Sequence, residues 1–246
     1  MKLTRSALLL VAVALSGLML VSGCGGSDSG GSPSTPTSPT TPTTPTNRSP
    51  VITSMTVTPA FGVSGLTAIS MSGSATDADN DTVTYQWSFG GTTATGPTVA
   101  STLTGDGPVV IQLTVSDGKG GTATDSRTVT IGTMTGQWSF IFTSGCSPTT
   151  PTVLPILTLT QFGSVVTGTL ASPAAWCNVP AGQTGKLDPA APAAIDAQGN
   201  FTGARLKIGN YYDTFITGKM DGTGRTITGT TRSVSGSTNT FTMKKL

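Results

Sequence analysis

Tyr85-Gln86-Trp87-Ser88-Phe89-Gly90-Gly91 is the stretch that decides the fold of the first half of this chain. Apolar and polar side chains alternate along it, and they alternate again from Val109 to Val115. A period of two places the apolar residues on one face of a half-buried β-strand. Because Gly, Asp and Asn separate such strands at regular intervals, the sequence predicts a β-sandwich of about 80 residues from Pro50 to Gly132.

The predicted strand that contains Trp87, which we call the tryptophan strand, also resembles a known family. PKD-type immunoglobulin-like domains commonly have a tryptophan, an acidic residue and then Phe-Gly-Asp-Gly, and this region is similar to them. Here Ser88 stands in place of the aspartate that follows Trp87, and Gly91 stands where the second aspartate would be. The resemblance implies an immunoglobulin-like sandwich over residues 50–132, and it implies no function that depends on the two missing carboxylates.

Four aspartates are candidate metal ligands in this unit. Asp77, Asp79 and Asp81 lie in the loop before the tryptophan strand, and Asp117 opens the turn before the last strand. In an immunoglobulin-like sandwich the two loops lie at the same end, and Ca²⁺ prefers oxygen ligands from such loops. The alternative is that these aspartates form ordinary Asx turns and stay solvated. Calcium is the one cofactor that the sequence suggests.

The N-terminus has the features of an export signal, predicted over residues 1–23. Its apolar run from Ala7 to Val21 is shorter than the about 20 residues that a membrane-spanning helix needs. The run ends in Leu20-Val21-Ser22-Gly23-Cys24, which resembles the lipobox of bacterial lipoproteins. The resemblance implies an acylated Cys24 that anchors the protein to a membrane of the cell envelope. In such lipoproteins an aspartate after the cysteine favours retention at the inner membrane. Gly25 stands there instead, so the resemblance implies an outer membrane or cell surface. An ordinary secretory signal with a chance cysteine is the alternative.

Residues 24–49 are predicted to form a linker. Glycine and serine dominate its start, and prolines then recur at every third position from 33 to 45. Three residues make one turn of a polyproline II helix, which predicts a semi-rigid spacer. At about 3.1 Å per residue it would hold the following domains some 50 to 70 Å from the membrane.

Charge and composition exclude several classes of function. Removing the signal removes Lys2 and Arg5 from the 13 basic residues, which leaves 11 basic and 11 acidic residues. A neutral chain lacks the basic character of nucleic-acid-binding proteins. All acidic residues are aspartates and histidine is absent. Ser-His-Asp triads, Cys-His pairs and histidine-ligated zinc are therefore excluded, and an enzyme would have to use aspartates alone.

Residues 133–246 are predicted to form a small antiparallel β-barrel. Thr-Gly pairs recur within the predicted strands, and glycine inside strands is typical of the tight curvature of small barrels. The sequence resembles avidin-like and lipocalin-like barrels in the recurrence of short motifs, Thr135-Gly136-Gln137-Trp138 followed by Phe201-Thr202-Gly203. This resemblance implies no ligand. Pro173 to Pro192 is predicted to be a loop. The predicted strands are Gly136 to Thr143, Leu154 to Gln161, Val165 to Leu170, Phe201 to Ile208, Tyr211 to Lys219, Arg225 to Thr231 and Thr240 to Lys244.

Two cysteines remain once Cys24 is acylated. Disulfides persist outside the cytoplasm, so we expect Cys146 and Cys177 to be joined. Closing a loop of about 30 residues would stabilise the fold by roughly 3 to 4 kcal/mol. The alternatives are two buried thiols or a catalytic cysteine, but no histidine exists to activate a thiolate.

The aromatic residues of the predicted barrel have two interpretations. They either line a ligand pocket or belong to the core and the rim, and barrels of this size accommodate both arrangements. The candidates are Trp138, Trp176, Tyr211, Tyr212 and Phe215.

Two classes of function remain. The first is a non-enzymatic surface lipoprotein whose sandwich is a spacer or adhesive module and whose barrel binds a protein or a polysaccharide. The second is a carrier that encloses a small apolar ligand in the barrel. A cavity lined by Trp138 and Tyr211 would favour the carrier, and a filled barrel would favour the surface protein.

Overall fold

The structure is a computed structural model that describes residues 46–144, 153–175 and 179–246. All regular secondary structure within these ranges is β-strand, as the alternation of apolar residues predicts. None of the described residues belongs to a helix that could cross a membrane. The described residues form one compact unit, in which a β-sandwich is followed by a closed β-barrel.

The sandwich contains eight strands in two sheets. One sheet has the strand order β1-β3-β6, and the other has the order β2-β8-β7-β4-β5. Neighbouring strands are antiparallel except for β2 and β8, which are parallel. The strands are β1 (Val51–Thr58), β2 (Phe61–Val63), β3 (Ala68–Thr76), β4 (Thr84–Phe89), β5 (Thr92–Thr95), β6 (Thr98–Thr102), β7 (Gly107–Ser116) and β8 (Thr122–Gly132).

Trp87 lies at the centre of the sandwich core, as the sequence predicts. Its side chain is fully buried among residues of both sheets, including Ile69 and Leu113. The indole N–H donates a hydrogen bond to the carbonyl oxygen of Gly96 at 2.9 Å, so the buried polar atom is satisfied. Gly73 leaves room for this packing, because a Cβ atom there would lie 2.6 Å from Leu113 Cδ2.

In its described residues the barrel has eight antiparallel strands and one short bridging strand. The order β9-β10-β11-β12-β14-β15-β16-β17 closes through the pairing of β17 with β9, and β13 bridges β11 and β14. The strands are β9 (Gly136–Phe142), β10 (Ile156–Phe162), β11 (Val165–Ser172), β12 (Gln183–Leu187), β13 (Ala193–Ile195), β14 (Asn200–Ile208), β15 (Tyr212–Met220), β16 (Thr226–Ser233) and β17 (Thr238–Lys245).

Aromatic side chains fill the barrel interior. Phe140 stacks on Phe241 with ring centroids 5.0 Å apart and meets Phe142 edge-on at 5.1 Å. Trp138 and Phe201 are fully buried in the same cluster. A barrel of eight strands is just wide enough for side chains to fill it, and this one is packed in that way.

Inward-facing glycines allow the strands to curve closely around this core. The residue pair Gly218 and Gly229 lies directly across β15 and β16. A Cβ atom on Gly229 would lie 2.0 Å from the carbonyl oxygen of Thr217, and one on Gly168 would lie 2.5 Å from Leu159 Cδ2. Gly168, Gly218 and Gly229 thus have the structural role that the sequence predicts for glycine in a small barrel.

One strand lies where the sequence predicts a loop. Residues 173–192 are predicted to be irregular, but Gln183–Leu187 forms β12, which pairs with β11 and β14. Its inward positions are Gln183, Gly185 and Leu187, so only one of them carries an apolar side chain. The strand therefore lacks the alternation by which strands are recognised, and its two neighbours impose the extended conformation.

The sandwich closes one end of the barrel. Val63 belongs to β2 but is fully buried within the barrel core, and Phe61 and Leu66 pack against the same core. The backbones also meet closely, because a Cβ atom on Gly132 would lie 2.9 Å from the Cα atom of Gly224. Apolar packing of this kind fixes the sandwich against the barrel.

Polar contacts reinforce this junction. Thr67 Oγ1 donates a hydrogen bond to the carbonyl oxygen of Ala197 at 2.6 Å. The Lys245 ammonium, which is almost fully buried, lies 2.9 Å from Asp106 Oδ2. The junction between the sandwich and the barrel is therefore both packed and hydrogen-bonded, and these contacts fix the orientation of one module against the other.

Candidate functional site

A continuous row of outward-facing side chains crosses five strands of the barrel. The strand register places these residues as direct neighbours from β10 to β15, so adjacent side chains start about 5 Å apart. Four strand spacings of about 4.8 Å give the row a length of about 19 Å. The row consists of Thr158, Thr169, Lys186, Lys207 and Asp213.

Two depressions on this face join to form one groove. Their volumes are about 480 and 650 Å³, and both are lined by Thr158, Thr169 and Lys186. The segment that follows β12 forms one wall of the first depression with its proline rings. We call the whole the threonine groove and define it by Thr158, Thr160, Thr167, Thr169, Thr184, Lys186, Pro189 and Pro192.

The two lysines of the groove region differ in their charge partners. Lys207 Nζ lies 2.8 Å from Asp188 Oδ2, and the hydrogen bond from Lys207 holds the pKa of Asp188 below its ordinary value. Lys186 has no carboxylate within ion-pair distance anywhere in the described part of the chain. Its ammonium group is therefore available to a ligand in the groove.

A second row beside the groove combines an aromatic ring with two guanidinium groups. Phe215 lies directly between Arg205 on β14 and Arg232 on β16, and its side chain is 43% exposed. The Arg205 guanidinium carbon lies 5.4 Å from the centre of the Phe215 ring. Two hydrogen bonds of 2.7 Å from Arg205 to Asp213 lower the pKa of that carboxyl and fix the guanidinium in place. We call Arg205, Phe215 and Arg232 the arginine row.

Charge is unevenly divided between the two modules. The barrel, residues 133–246, has eight basic and four acidic residues, a net formal charge of +4. The sandwich, residues 46–132, has three basic and six acidic residues, a net formal charge of −3. The charges of residues 24–246 cancel, but the barrel is basic and the sandwich is acidic. Four of the eight basic residues of the barrel lie at or beside the groove.

Of the aromatic residues predicted for a pocket, Tyr211 and Tyr212 line one open depression of about 450 Å³, and Trp138 and Phe215 do not line it. Trp138 is fully buried, and its indole N–H donates to the carbonyl oxygen of Met134 at 2.8 Å. Tyr212 packs its ring against Phe142, whereas Tyr211 is half exposed at the turn between β14 and β15. Phe215 points outward into the arginine row, and Trp176 lies outside the described residues. No single cavity unites the four described side chains.

Three of the four aspartates predicted as calcium ligands lie together in the loop before β4. Carboxylate oxygens of Asp77, Asp79 and Asp81 lie within 4.8 Å of one another. Asp81 Oδ1 is 2.5 Å from the Lys119 ammonium, so a basic side chain already balances part of the negative charge. Asp79 Oδ2 accepts a hydrogen bond from the backbone N–H of Arg48 at 2.7 Å.

The fourth aspartate is held separately. Asn47 donates to Asp117 Oδ2 at 2.8 Å, and the backbone N–H groups of Lys119 and Gly121 donate to Oδ1 at 2.8 and 2.9 Å. The hydrogen bond from Asn47 lowers the pKa of Asp117, which keeps the carboxylate charged. Since both oxygens have protein partners, Asp117 ties the start of the sandwich to its last turn. The calcium site stays a prediction, and the carboxylates of the loop before β4 remain its candidate ligands.

The cysteines of the predicted anchor and disulfide, Cys24, Cys146 and Cys177, lie outside the described residues. The acylation of the first and the pairing of the other two stay predictions.

Sequence reasoning missed the threonine groove and the arginine row. One signal for the groove is present, because threonines alternate with apolar residues at 158 and 160 and again at 167 and 169. The arginine row has no such signal. Its three residues become neighbours only through the pairing of three strands, which the sequence does not reveal.

Comparison with known proteins supports the interpretation of the first module. The model of the PKD domain family matches residues 47–131. No curated protein sequence matches the chain.

Two solved structures overlap weakly with this chain. A carbohydrate-binding module of the β-sandwich superfamily is 14% identical with a TM-score of 0.36, over 82% of this chain and 94% of that one. SGBP-B of the Bacteroides ovatus mixed-linkage glucan utilization locus, in complex with a mixed-linkage heptasaccharide, is 13% identical with a TM-score of 0.29, over 78% of this chain and 66% of that one. The assignment therefore rests on the family match and on the buried tryptophan strand, and residues 47–131 of this chain are a PKD domain.

Proposed function

We propose that this protein is a non-enzymatic binding protein of the bacterial cell envelope, in which the PKD sandwich presents the barrel to a polysaccharide. The observation that carries the proposal is the threonine groove, an open depression on the outer face of the barrel whose lining combines threonine hydroxyl groups with apolar surface. Binding sites built on strands hold their geometry better than sites on loops, and this groove is formed mainly by β10, β11 and β12.

The chemistry of the groove suits a polysaccharide. A threonine presents a hydroxyl group, which both donates and accepts hydrogen bonds, next to a methyl group. Sugar rings offer the same combination of hydroxyl edges and apolar C–H faces, and the rings of Pro189 and Pro192 add further apolar surface. Because the groove is open at the surface, an internal segment of a linear polysaccharide can lie across it, and no chain end has to enter.

The filled interior argues against the carrier alternative. A carrier needs an enclosed apolar cavity of a few hundred Å³. Here Trp138, Phe140 and Phe241 occupy the space that a ligand would need, and all three are fully buried.

The carboxylates near the groove argue against hydrolysis. Glycosidases pair two carboxyl groups, one of which stays protonated through a raised pKa. Asp188 and Asp213 are the nearest carboxyl groups among the described residues, and hydrogen bonds from Lys207 and Arg205 lower their pKa values. Both are therefore ionised and engaged in ion pairs, so neither is suited to act as a general acid.

The anchor is tested by a single substitution. Cys24→Ser removes the thiol that would receive the lipid, so we expect the protein to leave the membrane fraction and to lose metabolic labelling with a fatty acid. A wild-type protein that is never labelled, or a Cys24→Ser protein that stays in washed membranes, would contradict the proposed anchor.

Binding is tested with the chain from Gly25 to Leu246, which lacks the signal and the acylated cysteine. Affinity electrophoresis through gels that contain neutral or acidic polysaccharides should show retardation in at least one of them. We expect the double variant Thr158→Val, Thr169→Val to weaken that binding roughly thirtyfold, because about 1 kcal/mol is lost for each of the two hydrogen bonds removed.

The matched control is Thr228→Val, Thr242→Val, which removes a cross-strand pair of hydroxyl groups from another face of the barrel. It should bind as the wild type does. Absence of retardation in every gel, or equal loss in both double variants, would overturn the proposed function.

A further inference from the structure

We infer that the polysaccharide bound by this face is acidic, and that its carboxylate or sulfate groups lie on Lys186 and on the arginine row. The inference rests on the proposed function and names the class of polysaccharide. Three independent observations lead to it: an unpaired cation in the groove, an aromatic ring flanked by two guanidinium groups, and the charge difference between the modules.

Lys186 is the cation at the centre of the groove. It lies between Thr169 on β11 and Lys207 on β14, and it lines both depressions. Two neighbouring cations have partners, since Lys207 is paired with Asp188 and Arg205 with Asp213. An anionic group of a ligand in the groove would therefore meet Lys186 without displacing a protein carboxylate.

Arg232 is the corresponding group in the arginine row. Arg205 is held in place by Asp213, but no carboxylate in the described ranges pairs with Arg232. The planar guanidinium group binds carboxylate and sulfate groups through two parallel hydrogen bonds. The exposed face of Phe215 lies directly beside it and offers a platform for the apolar face of a sugar ring.

The spacing of these groups sets the size of the ligand. The strands of Lys186 and Arg232 are separated by β14 and β15, so three strand spacings of about 4.8 Å lie between them. A distance on the order of 15 Å exceeds the size of one sugar, so a ligand must be an oligosaccharide with at least two acidic groups to reach both sites. Affinity is therefore expected to rise with chain length until both sites are occupied.

The difference in net charge between the two modules favours binding of a polyanion to the barrel. A polyanion is attracted to the barrel, with its net formal charge of +4, and repelled by the sandwich, with its net formal charge of −3. Such long-range attraction acts over about 10 Å at 0.1 M salt and weakens as salt is added.

The experiment uses one polymer in two charge states. Polygalacturonate and carboxyl-reduced polygalacturonate are titrated into the chain from Gly25 to Leu246 by calorimetry at two salt concentrations. We expect the acidic form to bind at least tenfold more tightly, and Lys186→Gln and Arg232→Gln each to lose roughly tenfold, since one charge-assisted hydrogen bond is removed in each. The matched control, Lys244→Gln, removes an outward-facing charge from β17 and should lose less than twofold.

The other possible results distinguish a failure of this inference from a failure of the proposed function. Equal binding of the acidic and the reduced polymer would overturn the inference and leave the proposed function standing. Binding of neither polymer, together with failure of every gel, would overturn both. Equal losses in Lys244→Gln and Lys186→Gln, or equally tight binding of single-stranded DNA, would overturn the inference by showing an unspecific response to negative charge.

Discussion

Gly229→Ala is expected to destabilise the barrel by at least about 3 kcal/mol. The added Cβ atom would lie 2.0 Å from the carbonyl oxygen of Thr217 and 2.5 Å from the Cα atom of Gly218. Both are backbone atoms of the neighbouring strand, so no side chain can move aside to make room. Relief requires β15 and β16 to separate, and these strands are paired over seven residues.

Urea unfolding followed by tryptophan fluorescence measures this effect. Trp138 is fully buried in the barrel core and Trp87 in the sandwich core, so the fluorescence change includes the unfolding of the barrel. Gly222→Ala is the matched control, since it lies in the turn of the same hairpin and no atom lies within 4 Å of its added Cβ. The control should unfold at the wild-type urea concentration. A Gly229→Ala protein that also unfolds there would contradict the close approach of the two strands.

Val63→Asp is expected to destabilise the barrel although Val63 belongs to the sandwich. Its side chain is fully buried in the barrel core. An aspartate there would lose its hydration without a cationic partner among the residues of that core, which costs several kcal/mol. We therefore expect the amides of β9 to β17 to exchange with solvent much faster than in the wild type.

Hydrogen exchange resolved by peptide tests this prediction. Val110→Asp is the control, because the side chain of Val110 on β7 is exposed and a surface substitution changes stability by about 0.5 kcal/mol or less. Faster exchange confined to the sandwich in Val63→Asp would show that the barrel does not depend on this contact. Since the barrel core contains sandwich residues, binding experiments need both modules.

Much of the fold follows from local sequence patterns. The alternation around Trp87 predicts a half-buried strand, and this strand is central to the sandwich core. The recurring Thr-Gly pairs predict close strand approach, and Gly218 and Gly229 lie directly opposite each other. These features could be predicted because a period of two and a glycine inside a strand depend on nearby residues alone.

The features that were missed depend on distant residues. Gln183–Leu187 has little alternation and becomes β12 because β11 and β14 hold it between them. Val63 gives no sign in the sequence that it belongs to the core of another module. The pairing of Arg205, Phe215 and Arg232 requires strand registers that only the fold supplies.

Hydroxyl-radical footprinting of the chain from Gly25 to Leu246 with a bound polysaccharide locates the binding face directly. Phe215, Pro189 and Pro192 should be protected by the ligand, because they lie in or beside the groove. Phe162 is 87% exposed at the turn between β10 and β11 and should react equally with and without ligand. Protection confined to Tyr211, or to the loop of Asp77, Asp79 and Asp81, would contradict binding on the outer face of the barrel.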